Sequence, residues 1–198
     1  MANFHPASPF WYAQARRNQS PISNTLRWQV NPVMTSNQEQ IPALQQMLRS
    51  AHQVVMDSID GIAEPEIRQV PAPDEWTVAQ LLAHIAEIEY FWMEKAVLIT
   101  KETDPNITRS DVENDRRTAA IVDHAGDSLS DLIQGLTAAN ESAIATTGEI
   151  APGDLATLGH RGENNPITVE GVVHFLASHM EEHASQIREC RRLISQDQ

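Results

Sequence analysis

Apolar residues recur every three or four positions in four separate stretches of the chain. Ile41, Leu44, Leu48, Ala51, Val55, Ile59 and Ile62 form the first stripe, the spacing of a helix that buries one face. Pro42 suits the first turn of that helix, and Gly61 with Pro65 closes it. After the stiff connector Pro71–Asp74, Thr77 and Gln80 form a capping box, with Trp76 and Leu81 placed to staple the entry. Val78, Leu81, Ile85, Ile88, Trp92, Ala96 and Ile99 make the second stripe. Between Pro105 and Pro152 a third runs through Thr118, Ile121, Ala125, Leu129, Leu132, Leu136, Ala139 and Ala143, and reads as one long helix. A loop rich in Gly, Pro and Asn spans 148–166. Thr168 then caps a fourth helix whose stripe is Val169, Val172, Val173, Leu176, His179, Met180, His183, Ile187, Cys190 and Ile194. No segment alternates apolar and polar residues long enough to predict a strand.

Four helices with narrow apolar stripes cannot each bury their own face, so the pattern predicts an all-α four-helix bundle with a shared core. The links over 62–76 and 148–167 exceed the about 2–8 residues typical of a minimal up-down bundle, which leaves room for crossovers and for a pocket mouth.

Charge divides the chain. Its 198 residues carry 14 Lys+Arg against 27 Asp+Glu, a net charge of −13. Residues 1–38 hold Arg16, Arg17 and Arg27, no acid, and four prolines, with no sustained apolar period. Residues 1–37 are therefore expected to be a disordered arm, a miscalled start with Met34 as the true first residue, or a transit peptide. The miscalled start is preferred, and the bundle is assigned to 38–198. The acidic balance argues against nucleic acid or an anionic membrane as partner, and no apolar run is long enough to span a bilayer. A cytoplasmic location is the expectation. One cysteine, Cys190, forbids an intramolecular disulfide and any cysteine-cluster zinc site. It reads as a small packed residue.

The candidate chemistry lies on the fourth helix. His179 and His183 stand in the apolar stripe where Leu is expected. Residues i and i+4 are about 40° apart around a helix and about 6 Å apart along it, so both imidazoles leave one face at a spacing that suits a shared metal ion. Two ligands make a weak site. His84, on the edge of the second stripe, becomes a third if the two helices are neighbours, and three histidines leave a coordination position open. The plainer alternative is that these histidines pack and hydrogen-bond as ordinary core residues. His179 to His183 also matches the H-x-x-E-H order of inverted zinc proteases, but too few residues follow to supply the further acidic ligand. Glu182 is placed to orient a ligand or move a proton, or to be a solvated edge carboxylate. His160, in the 159–165 loop, is a second weak catalytic candidate. His52, His124 and His174 are expected at or near the surface. Trp76, Phe91 and Trp92 read as core and staple residues.

The segment from Trp76 through His84 to Ile85 resembles the opening of the second helix in the DinB-like superfamily. The segment Thr168–Ile187, with His179-x-x-x-His183 and the following Gln186-Ile187, resembles that family's closing helix. The resemblance covers roughly residues 38–195. It implies a bundle with a long crossover and a divalent ion, Zn²⁺ or Ni²⁺, held by His84, His179 and His183. It further implies thiol-dependent chemistry: S-transfer with a low-molecular-weight thiol such as bacillithiol or mycothiol, or maleylpyruvate isomerisation, commonly in a homodimer. Two functional expectations follow. One is a metal-dependent thiol S-transferase acting on a small molecule. The other is a non-catalytic metal-binding or dimeric stress-response module.

Overall fold

The structure is a computed structural model and describes residues 37–196, so the expectations for residues 1–37 lie, but for residue 37 itself, outside the described residues. Five α-helices account for most of the described chain: α1 (Asn37–Ile59), α2 (Val78–Lys101), α3 (Asp111–His124), α4 (Leu129–Glu149) and α5 (Val169–Gln196). Two short strands, β1 (Leu158–His160) and β2 (Pro166–Thr168), pair antiparallel between α4 and α5, with Gly159 opposite Ile167.

The predicted stripes supply most of the core, although Thr118 of the third is exposed and Ala125 and Leu129 are half-buried. Leu48, Ala51, Val55, Ile85, Ala96, Ile99, Leu136, Val172, Leu176, Met180 and Ile187 are fully buried. The predicted caps form as well. Thr77 accepts from the Gln80 amide while the Gln80 side chain accepts from the Thr77 amide, and the Thr168 hydroxyl accepts from the Gly171 amide. Gly61 ends α1 at a φ of +68°, a left-handed conformation that favours glycine. Pro42 falls inside α1 rather than in its first turn, because the helix starts at Asn37.

Two further expectations need correction. The third stripe is not one helix: α3 ends at His124 and α4 begins at Leu129. The reason is local and tertiary together. Ser128 caps α4 by accepting from the Asp131 amide. Arg68, in the connector after α1, donates to the carbonyls of Gly126 and Asp127, while Glu64 accepts from the Leu129 amide. Connector side chains thus satisfy the backbone groups exposed by the break. Nor is the 148–166 loop free of strand, since its second half is the β1–β2 hairpin. The hairpin docks on the chain after α2: His160 N donates to Pro105 O, and Ile107 N donates to His160 O. A side chain at Gly159 would meet Ile99 Cγ1 at 2.8 Å, so the close approach requires glycine there.

In the bundle α1 packs against α5 and α4, and α2 packs against α4, α5 and α3. Consecutive helices α1 and α2 are not neighbours, and neither are α4 and α5. Each pair is joined by one of the long links, which therefore cross the bundle. This is the arrangement that sets α2 beside α5.

Candidate metal centre

The α2–α5 contact brings the three predicted histidines together. His84 from α2 and His179 and His183 from α5 each offer a ring nitrogen, and these atoms lie within 4.8 Å of one another. The Nε2 atoms of His179 and His183 are 3.3 Å apart. Two nitrogens bound about 2.05 Å from one ion at the tetrahedral angle stand about 3.3 Å apart, so that pair fits a shared ion. His84 and His183 are buried, whereas the His179 side chain is 27% exposed, so solvent reaches the group from one side.

Each ring has a side-chain oxygen three residues further along its own helix, the spacing at which helical side chains meet. Nδ1 of His179 is 3.2 Å from Glu182 Oε2, and Nδ1 of His183 is 2.9 Å from Gln186 Oε1. Nδ1 of His84 faces Glu87 Oε2 at 3.7 Å, which is beyond hydrogen-bond reach, and that buried nitrogen has no hydrogen-bond partner. When Nδ1–H of His179 and His183 donates to these acceptors, both Nε2 lone pairs point into one space. In that tautomer the two lone pairs oppose each other, a conflict that a shared cation would resolve.

Burial keeps the rings uncharged, as a metal ligand must be. It holds His84 well below the ordinary imidazole range, helped by His183, His179, Arg117 and Arg109. His183 is brought down to about 4 by burial and by His179, against the Gln186 hydrogen bond. His179 is lowered by burial, partly offset by Glu182.

Aromatic rings and arginines frame the group. Trp76 meets His84 edge-on at 5.1 Å between centroids, and Phe175 stacks on His179 at 5.4 Å. The hairpin carries Arg161 to 4.4 Å above the Phe175 ring and 5.0 Å above Trp92. Arg109, before α3, lies 3.6 Å over Phe91 and grips Glu87 with two nitrogens, at 2.7 and 2.8 Å.

The weaker candidates divide. Glu182 touches His179 yet is 70% exposed, so it is both an orienting group and a solvated edge carboxylate. His160 is not in the cluster; its ring is engaged by Asp104 at 3.2 Å. His124 and His174 are exposed, whereas His52 is half-buried at the border of core and surface, with its Nδ1 unpartnered. Cys190 is packed, and burial raises its thiol to about 11, so it supplies no thiolate. Glu87, Gln186, Phe175, Arg109 and Arg161 carried no predicted role. The signal that was available for three ligand–acceptor pairs is the repeated His-x-x-Glu/Gln spacing at 84/87, 179/182 and 183/186.

The sequence profile described as the DinB superfamily matches residues 47–187, most of the bundle and all three histidines. The chain belongs to the DinB superfamily. Among solved structures it is similar to YfiT from Bacillus subtilis, described as a probable metal-dependent hydrolase with an unusual four-helix bundle topology. The likeness has a TM-score of 0.65 at 18% identity and covers 83% of this chain and 93% of that one, which shows the shared fold. No curated protein sequence matches the chain significantly. In this DinB-superfamily bundle, among the described residues, no helix is long and apolar enough to cross a membrane.

Proposed function

We propose that this DinB-superfamily protein is a divalent-metal enzyme in which His84, His179 and His183 hold the ion, Zn²⁺ or Ni²⁺, and leave a position open for a nucleophile. The observation that carries the reading is the 3.3 Å approach of the His179 and His183 Nε2 atoms with a third imidazole from another helix beside them. A bound divalent ion lowers the pKa of a thiol or water at its open position and so makes a nucleophile near neutral pH. The nucleophile proposed first is a low-molecular-weight thiol transferred to a small electrophile. A thiol must come from solution, since Cys190 is packed and held protonated. Water is the second nucleophile, a reading supported by the likeness to YfiT, which is described as a probable metal-dependent hydrolase.

The chain's own residues orient and select. Glu182 and Gln186 fix the α5 rings through Nδ1. Phe175, Trp92 and Trp76 give the surroundings flat apolar walls. In an acidic chain, Arg117 acts on His84 and Arg161 on His179, which favours an electrophile bearing an anionic group. The exposed edge of His179 is the side from which substrate enters. A homodimer and a cytoplasmic location accompany this reading as proposals.

The test is elemental analysis of untagged protein, followed by turnover of several thiols, and of water alone, with electrophiles bearing and lacking a carboxylate. About one equivalent of metal, lost in His84→Ala, and a metal-dependent rate are expected. Under about a tenth of an equivalent in the wild type overturns the metal reading. Stoichiometric metal with no rate above background for thiol or water overturns the enzyme and leaves a metal-binding module.

A further inference from the structure

We propose that Glu87, locked by Arg109, is the positioning carboxylate of His84, which makes the ligand shell a set of three matched histidine–acceptor pairs. The inference rests on the metal reading and concerns what tunes it. Each member of the triad has an oxygen three residues downstream on its own helix: His84 with Glu87, His179 with Glu182, His183 with Gln186. Two of the three are already hydrogen-bonded. The third is the one whose nitrogen is buried and unsatisfied, 3.7 Å from the oxygen it lacks. A buried N–H without an acceptor is costly, and a ring that coordinates an ion through Nε2 becomes a stronger donor at Nδ1. With Nδ1 turned to Glu87, Nε2 is the nitrogen left for the shared ion.

The three acceptors are not equivalent. Glu182 is 70% exposed and so well solvated, and Gln186 is neutral. Glu87 is charged, only 15% exposed, and pinned by a two-pronged guanidinium that is itself flattened against Phe91. A fixed carboxylate in a poorly solvated position raises ligand basicity far more than one in water. His84 is also the triad's sole member from α2, so its ring orientation decides whether the two helices can share one ion. Arg109 lies just before α3 and also donates to Glu113 O in that helix, so the pair ties α3 to the back of the metal centre.

The competing explanation is that Glu87 merely anchors Arg109 and thereby α3. Chelator competition with Zn²⁺ on the full chain separates the two. Glu87→Gln is expected to weaken Zn²⁺ binding about 10–100-fold, Arg109→Met by a smaller factor in the same direction, and Glu182→Gln by less than about threefold. Two further readouts are insensitive to simple anchoring. The d–d bands of the Co²⁺-loaded protein should shift in Glu87→Gln, and ring-¹⁵N spectra of the metal-free wild type should show His84 protonated at Nδ1. Should Glu87→Gln unfold the protein, Arg109→Met still frees the carboxylate and carries the same sign. Wild-type binding with both variants within about threefold, and an unchanged Co²⁺ spectrum, overturns the role of Glu87 while the metal reading stands. No Zn²⁺ uptake by the wild type overturns both.

Discussion

Glu89 is the most isolated ionisable group in the bundle core. It has no exposed surface; one carboxylate oxygen accepts from Asn140 at 2.9 Å, and the other has no partner. Burial raises its pKa to about 8, against the Asn140 hydrogen bond that lowers it. The unfolded chain releases this proton near 4.5, whereas the folded chain keeps it until about 8. Folded protein therefore binds the extra proton between those values, and stability falls as pH rises from about 4.5 through 8, then levels off. Glu89→Gln retains an oxygen for Asn140 and carries no charge. Its urea midpoint should stay flat from pH 6 to 9 while that of the wild type declines; equal slopes would refute the assignment. Histidine in a leucine position was legible in the sequence at 179 and 183 because it breaks an apolar stripe. Glu89 was not, because it stands among Glu87 and Glu94 and looks like one more surface acid.

At the scale of elements, α3 is the helix with the fewest buried residues in the described bundle. Ile121 is its one buried residue, and it is held by polar ties: the Ser110–Glu113 capping box and the buried Lys95, whose ammonium meets Glu113 Oε1. Burial alone would push the Glu113 carboxyl up, but Lys95 and Ser110 outweigh it and bring it down to about 2. A carboxylate lowered in the fold contributes stability above its unfolded value of about 4.5 and loses it as pH falls toward 2. Lys95→Met should leave the thermal midpoint of the whole bundle within a few degrees yet increase amide exchange of α3 at least tenfold, as read by hydrogen–deuterium exchange. Acidification to pH 3 should loosen α3 before the rest. The division of α3 from α4 escaped the apolar period because Ile121, Ala125, Leu129 and Leu132 keep helical spacing across the gap. The cap residues Ser110, Glu113, Ser128 and Asp131 were the informative signal there. The Arg68 and Glu64 contacts that finish the break are tertiary and leave no periodic trace.

For the molecule as a whole, stripe spacing predicted which residues are buried but not which helices touch. A helix periodicity names a face and is silent about its neighbour; the α2–α5 pairing arises from the two crossing links, whose paths depend on contacts such as Arg68 to Gly126 and His160 to Pro105. Only that pairing turns a lone His84 and an i,i+4 pair into one cluster. Loading with Zn²⁺ should raise the melting temperature in proportion to the logarithm of free metal over its dissociation constant. His179→Ala with His183→Ala should melt at the same temperature with and without metal. The positions of the ligands along the chain give this coupling a particular character. Residues 84 and 183 lie about a hundred positions apart, and closing a loop that long with a covalent bridge is worth about 4.7 kcal/mol in chain entropy. An ion gripped from both ends would act as a detachable rivet between the early and late halves of the polypeptide, one that a chelator can draw out and a covalent crosslink cannot imitate reversibly.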